Sequence, residues 1–201
     1  MTQDDDFELV RCCQSEDPEV QEAAFRNLYD RYQDRVYNTA FRIVGNASDA
    51  MEVSQEVFLT IFRKIGEFQF GSRFFTWLYR ITVNLSIDRR RKINSAPLMV
   101  GDGATAGRAL AVLADESEPA PDAWADVEFV EERVQRCIGR LSPKLQATVV
   151  LRYLEELSYS EIAEAMSCSI GTVKSRLNRA HRTLETFLKP VIEALAAGGE
   201  E

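Results

Sequence analysis

The chain runs to 201 residues, 45% of them hydrophobic and 28% charged, with a formal net charge of −8. That is length for one domain or two small ones with modest cores, and the hydrophobic share argues against global disorder. No apolar run approaches the ~20 residues of a membrane span, and the acidic opening MTQDDDFELV is unlike a signal peptide, so a cytoplasmic protein with no membrane insertion is expected.

Strand signals are almost absent, and helical periodicity runs through the chain. In AFRNLYDRYQDRVYNTAFRIV, residues Phe25, Tyr29, Tyr32, Val36 and Ala40 recur at helical spacing, with Leu28 beside them. SDAMEVSQEVFLTIFRKI sets Val53, Val57, Ile61 and Ile65 in a stripe flanked by Phe58 and Phe62. RFFTWLYRITVNLSIDRRRK repeats the pattern through Phe74, Leu78, Ile81 and Leu85. The joints GNAS and GEFQFGS carry Gly and Asn as helix stops and Ser as a start. Three helices with facing stripes, and a short one before them, predict a bundle ending near Lys92.

From Ile93 to Pro121 the composition turns to Ala, Gly, Pro and acid, which reads as a flexible tether between two domains. The second domain opens with DAWADVEFVEERVQRCIGRL, an amphipathic helix with acids in its early turns, where they complement the helix dipole. Ser142 and Pro143 stand as N-cap and first residue of the next helix, and LQATVVLRYLEEL reads as mostly buried. Ser158 and Glu161 have capping-box spacing, and Ser169 is placed to cap the last helix.

Charge alternates along this frame. Residues 57–101 carry eight basic and two acidic groups, and residues 133–189 carry ten and five. Between them, residues 102–132 carry one and nine. Two basic blocks flanking an acidic one predict two polyanion-facing surfaces in a protein that is acidic on average.

The second block contains two short helices joined by a tight turn, the second of them basic, which fits a helix-turn-helix. At about 100° per residue, Ile170, Val173, Leu177, Ala180 and Leu184 share one arc, the expected buried stripe. Lys174, Ser175, Asn178 and Arg179 fall on the neighbouring outward arc with Arg182, and Arg176 lies at the opposite margin. Short polar and long basic side chains on one arc suit base edges and phosphates in a major groove. In the first block, Arg73, Trp77, Arg80 and Asn84 repeat at helical spacing, followed by Arg89, Arg90 and Arg91, with Phe68 and Phe70 in the preceding loop. Guanidiniums with an aromatic and an amide suit single-stranded or distorted nucleic acid, since bases stack while arginines hold the backbone.

Catalytic signals are missing. Cys12, Cys13, Cys137 and Cys168 lack C-x-x-C spacing and His181 is the lone histidine, so no metal centre is expected. GDGATAG is not a dinucleotide fingerprint, and no Walker or nucleophile-elbow sequence occurs. The reading is a non-enzyme with no cofactor.

The stretch DAMEVSQEVFLTIFRKIGEFQFGSRFFTWLYRITVNLSIDRRRK resembles region 2 of bacterial sigma factors of the extracytoplasmic-function (ECF) class, and LSPKLQATVVLRYLEELSYSEIAEAMSCSIGTVKSRLNRAHRTL resembles their region 4. The resemblance implies an all-α protein of two small helical domains: region 2 over 1–95, an acidic linker over 96–121, region 4 over 122–190 and a tail over 191–201. It implies core RNA polymerase, promoter DNA and an anti-sigma factor as partners. Asp49, Glu52, Gln55 and Glu56 match the polymerase clamp contact, an acidic and amide surface suited to a basic coiled coil. The loop Phe68–Arg73 with Phe70 matches the pocket for a flipped minus-ten base; Asn84 matches a position that reads that element, and Trp77, Arg80 and Arg89–Arg91 join that face. Lys174, Ser175, Asn178 and Arg179 match minus-thirty-five recognition positions, with Arg176 and Arg182 beside them. The alternative is a helix-turn-helix regulator that binds duplex DNA as a dimer, which leaves the Trp77–Asn84 face unused.

Overall fold

In a computed structural model of the protein, which describes residues 3–95 and 127–197, each predicted helix is present and no strand occurs among those residues, but the buried helix read over 145–157 ends at Tyr153, with Tyr153 and Leu154 exposed. The first half contains α1 (Gln3–Cys13), α2 (Pro18–Val44), α3 (Ala47–Lys64), a 3₁₀ turn (Ile65–Glu67) and α4 (Phe74–Ser95). The second contains α5 (Val127–Gly139), α6 (Pro143–Tyr153), α7 (Tyr159–Ala165) and α8 (Ile170–Ala197). The linker read over 96–121 lies outside the described residues.

Local chemistry sets the helix ends. Asp17 caps α2 by accepting the Glu19 amide at 2.9 Å, with Pro18 in the first turn, where its missing N–H costs nothing. Gly45 ends α2 at φ 85°, a left-handed conformation open to glycine, and its N–H returns to the Phe41 carbonyl. Asn46 then caps α3 through the Asp49 amide at 2.8 Å. Ser158 and Glu161 form the expected capping box on α7, and Ser169 accepts the Thr172 amide at 3.1 Å at the start of α8. Ser142 occupies the N-cap of α6 without a side-chain bond. The last helix continues through Pro190 to Ala197.

The first core joins Leu28, Val36 and Ala40 of α2 to Val53, Val57 and Ile61 of α3 and to Phe74 and Leu78 of α4, with Val10 and Cys13 of α1 closing one end. Each such aliphatic side chain, fully buried, contributes about 1.5–3 kcal/mol. Tyr29 departs from the stripe expected for α2: it is 41% exposed and lies against the Phe58 ring. Leu28 and Tyr32 take the inward positions on either side of it because three helices pack on this face of α2 and leave Tyr29 at the rim. Gln14 donates to the carbonyls of Ile65 and Phe68, at 2.7 and 2.9 Å, which pins the loop before α4 to the end of α1.

A second core spans the two halves that the sequence reads as domains joined by a tether. Ile43 of α2 and Tyr79, Val83 and Ile87 of α4 are buried in one cluster with Val150, Leu151, Leu157 and Ile162 of the second half. Helix α4 is apolar on two sides, one facing its own bundle and one facing α6 and α7.

Candidate nucleic-acid interface

Two helices carry the candidate contacts, and both owe their orientation to the cores just described. On α8, Val173, Leu177 and Ala180 are buried, which turns Lys174, Ser175, Asn178, Arg179 and Arg182 outward as exposed side chains. The placement agrees with a 3.6-residue period, with one correction. Ile170, expected in the buried stripe, is 46% exposed. It is the first residue of the helix, where the stripe begins. Arg176 is half-buried; its guanidinium lies 3.7 Å from the Met166 sulfur and 3.6 Å from the Cys168 sulfur, over the turn between α7 and α8. That turn bends sharply at Ser167, a non-glycine residue at φ 48°. His181 is exposed on the same helix, paired with the Tyr153 hydroxyl at 2.7 Å.

The α4 face is less open. Arg80 and Asn84 are exposed, whereas Trp77 is half-buried, its indole 5.2 Å from the Phe68 ring and 5.9 Å from the Phe74 ring. The indole therefore forms part of the floor beneath the loop. Phe70 is held at φ 56°, uncommon for a bulky residue, between the rings of Phe7 at 4.5 Å and Phe68 at 5.1 Å. Arg73 reaches across to the second half, 2.9 Å from the Glu161 carboxylate, and its guanidinium also lies over the Phe75 ring. Burial pushes the Glu161 carboxyl up, but the Ser158 hydroxyl and amide and the Arg73 guanidinium outweigh it and hold the group below its ordinary value.

The three arginines after Asn84 separate. Arg89 bridges Asp49 and Glu52, at 2.5 and 2.6 Å, so it sits on the acidic α3 surface. Arg90 turns inward, donating to the Ile43 carbonyl at 2.6 Å and to the Gly139 carbonyl of the second half. Arg91 is exposed and lies 3.4 Å from Asp88, one turn earlier on the same helix.

On α3, Glu52, Gln55 and Glu56 are exposed and Asp49 is half-exposed. Sequence reasoning missed the apolar row beside them: Met51, Leu59 and Phe62 are about half exposed and share a side of the helix with Gln55. Their spacing of eight and three residues was the available signal, hidden because Phe62 reads equally well as a core flank. The α3 surface thus pairs an apolar ridge with a carboxylate ridge, an arrangement fitted to a basic amphipathic helix.

Two clefts lie where the halves meet. One, of about 910 Å³, is lined by Phe70, Arg73, Arg35 and Tyr79 from the first half and by Glu155, Glu156 and Glu161 from the second. The other, of about 300 Å³, sets Asn84 and Arg91 against Lys144 and Arg176. Among the described residues no cluster of His, Cys, Asp and Glu could hold a metal ion, and no helix is long and apolar enough to cross a membrane.

Comparison with known proteins agrees with this division. The family model for sigma-70 region 2 matches residues 28–95, and that for sigma-70 region 4 matches residues 131–184. The ECF RNA polymerase sigma factor SigW of Bacillus subtilis is 35% identical over 171 residues, covering 83% of this chain and 89% of that protein. The RNA polymerase sigma-H factor of Pseudomonas aeruginosa is 33% identical over 196 residues, covering 96% and 98%. Among solved structures, CnrH in complex with the cytosolic domain of CnrY shares the fold at a TM-score of 0.66, with 22% identity, over 92% of this chain and 97% of that one. The sigma factor RpoE in complex with the anti-sigma factor NepR, from Bartonella quintana, does so at 0.59, with 21% identity, over 82% and 96%.

Proposed function

The chain belongs to the sigma-70 family of RNA polymerase sigma factors, in its ECF class, and on that premise we propose which of its side chains do the work. As a sigma factor it binds core RNA polymerase and directs it to promoter DNA. The carrying observation is that region 2 and region 4 matches occur in one chain, in that order, each bearing a basic helix. A dimeric helix-turn-helix regulator is not favoured, because it has no use for region 2.

In region 4, Lys174, Ser175, Asn178 and Arg179 read the upstream element in the major groove, and Arg182 holds phosphate. The exposed arc on α8 supports this reading. Arg176, half-buried on the turn, positions the helix and touches the backbone only. In region 2, Phe70 and its loop, with Asn84, take a base out of the stack, while Arg73, Arg80 and Arg91 hold the strand. Unstacking costs a few kcal/mol, and the aromatic floor of Phe68, Phe74 and Trp77 supplies the apolar contact that offsets it. Glu52, Gln55 and Glu56, with Asp49 oriented by Arg89, dock on the polymerase clamp. Arg89 and Arg90 therefore act through protein contacts in this reading, Arg89 by shaping the clamp surface and Arg90 by joining the regions. The protein performs no covalent chemistry of its own, works in the cytoplasm with polymerase, and takes an anti-sigma factor as a partner.

Transcription by core polymerase of fragmented genomic DNA, with and without the chain, tests the function. The expected result is a set of start sites that depend on the chain and share two spaced elements. Chain-independent starts alone would refute it. Charge reversal at Glu52 and Glu56 should weaken holoenzyme assembly while leaving the circular dichroism spectrum unchanged.

A further inference from the structure

The contact between region 2 and region 4 pairs most of the polar groups it brings together. Arg73 meets Glu161 at 2.9 Å, and Glu155 accepts from the Thr39 hydroxyl at 2.7 Å and from the Tyr79 hydroxyl. Arg90 directs its guanidinium to the Ile43 and Gly139 carbonyls. The cleft of about 300 Å³ is the exception. It gathers Arg91 from α4, Lys144 from α6 and Arg176 from α8 around one recess, with Asp88 the one carboxylate among its lining residues. Asp88 lies 3.4 Å from Arg91. Among the described residues neither Lys144 nor Arg176 has an ion-pair partner, and Arg176 lies against the sulfurs of Met166 and Cys168.

Like charges brought together from three helices repel, and water and salt screen them less in a recess than on an open surface. The recess also has the other parts of a ligand site. The buried side chains of Val83 and Ile87 give it an apolar wall, and the exposed Asn84 amide and Ser167 hydroxyl offer neutral donors. Its volume is at the lower end for small-molecule sites, where apolar lining and a few convergent polar groups fix one ligand. Three cations against one carboxylate leave a charge of +2, which a singly charged anion does not neutralise. We propose that this cleft is a binding site for a small oligophosphate, an anion of two or more linked phosphates, free or as the tail of a nucleotide. The Arg91 and Arg176 guanidiniums take phosphate oxygens as planar forks, and Lys144 adds a point charge. Asn84 and Ser167 donate to the remaining oxygens. Arg91 belongs to region 2 and Lys144 and Arg176 to region 4, so the anion bridges the regions. Its binding and their packing therefore favour each other, which couples the level of a soluble phosphate compound to the arrangement of the chain.

The test titrates inorganic pyrophosphate into the full-length chain at constant ionic strength, by isothermal titration calorimetry. The variants are Arg91→Gln in region 2 and Lys144→Gln in region 4, both exposed side chains, with circular dichroism to check that helicity is kept. The expected result is saturable binding of one pyrophosphate per chain, weakened about 10-fold or more by either substitution, as loss of a charged hydrogen bond predicts. Lys64→Gln, which removes an exposed cation in the last turn of α3, should bind as the native chain does. Saturating pyrophosphate should also raise the melting temperature of the native protein by more than that of Lys144→Gln. Absence of saturable binding by the native chain overturns the site. So does an equal loss in Arg179→Gln, which would put the anion on the outward arc of α8. A loss in Lys144→Gln with Arg91→Gln unchanged overturns the bridge between the regions. A last arm separates a small anion from backbone phosphates, through the anisotropy of a fluorescent 20-nucleotide single strand of mixed sequence. If both variants weaken strand binding while pyrophosphate gives no saturable heat, nucleic acid fills the cleft and the small-ligand proposal fails.

Discussion

Replacing Arg90 by methionine asks whether a basic residue in a nucleic-acid-binding helix is structural. Its guanidinium spans the Ile43 and Gly139 carbonyls, joining region 2 to region 4. A hydrogen bond from a charged donor contributes about 1.5–3 kcal/mol, and two would give roughly twice that. The offset is desolvation. Burial lowers the Arg90 pKa from its ordinary value, and its Nε is buried without a partner among the described residues. With that cost deducted, Arg90→Met should destabilise the closed protein by about 2 kcal/mol. At this chain length each kcal/mol moves the midpoint by roughly 2–4 °C, so Tm should fall by about 4–8 °C. Arg90→Lys is the informative companion: a point charge cannot span two carbonyls as a planar fork does, so it should recover less than half of the loss. Differential scanning calorimetry of the three proteins without DNA measures this. If the methionine variant melts with the native protein, or the lysine variant recovers fully, the fork does not join the regions, and Arg90 is better read as a cation for phosphate.

Further outcomes follow from other sites. Arg179→Ala should cost about 1–3 kcal/mol on the upstream element with loss of base discrimination, whereas Arg176→Ala should weaken specific and scrambled duplexes alike; competition binding by the holoenzyme distinguishes them. Gly45→Ala should lower stability by about 1 kcal/mol in chemical denaturation, because φ 85° is strained for a residue with a Cβ. The Cβ itself meets nothing closer than Arg90 at 3.8 Å, so steric overlap adds little. Glu161 titrates below its ordinary 4.5, so its stabilising contribution is complete above that pH and fades as pH falls through the lower folded-state value. A Tm profile measured from pH 6 downward should accordingly lose part of its acid slope in Glu161→Gln, and an unchanged slope would remove Glu161 from the region 2–region 4 contact.

Much of this architecture is written in local sequence. The spacing of Val53, Val57, Ile61 and Ile65 marks the buried side of α3, and all four are buried. Ser158 with Glu161 marks the start of α7, because a capping box is closed by residues three apart and needs no distant partner. The outward arc of α8 was legible for the same reason, since Val173, Leu177 and Ala180 define its inside. Ile170 was misread because periodicity cannot tell where the packing partner of a stripe ends. The tertiary structure alone decided the rest. Tyr79, Val83 and Ile87 form a second apolar side of α4, which the stripe through Phe74 and Leu78 concealed, and only the arrival of α6 and α7 gives that side a role. The three arginines after Asn84 look alike in sequence but have different partners: Arg89 finds Asp49 40 residues away, Arg90 finds Gly139 49 away, and Arg91 stays near Asp88. Glu155 carries no local signal, because its partners, Thr39 and Tyr79, lie 116 and 76 residues earlier. Helical period and caps are short-range properties that a sequence displays directly; the pairing of a charge or a hydroxyl across a hundred residues exists only once the chain has closed on itself.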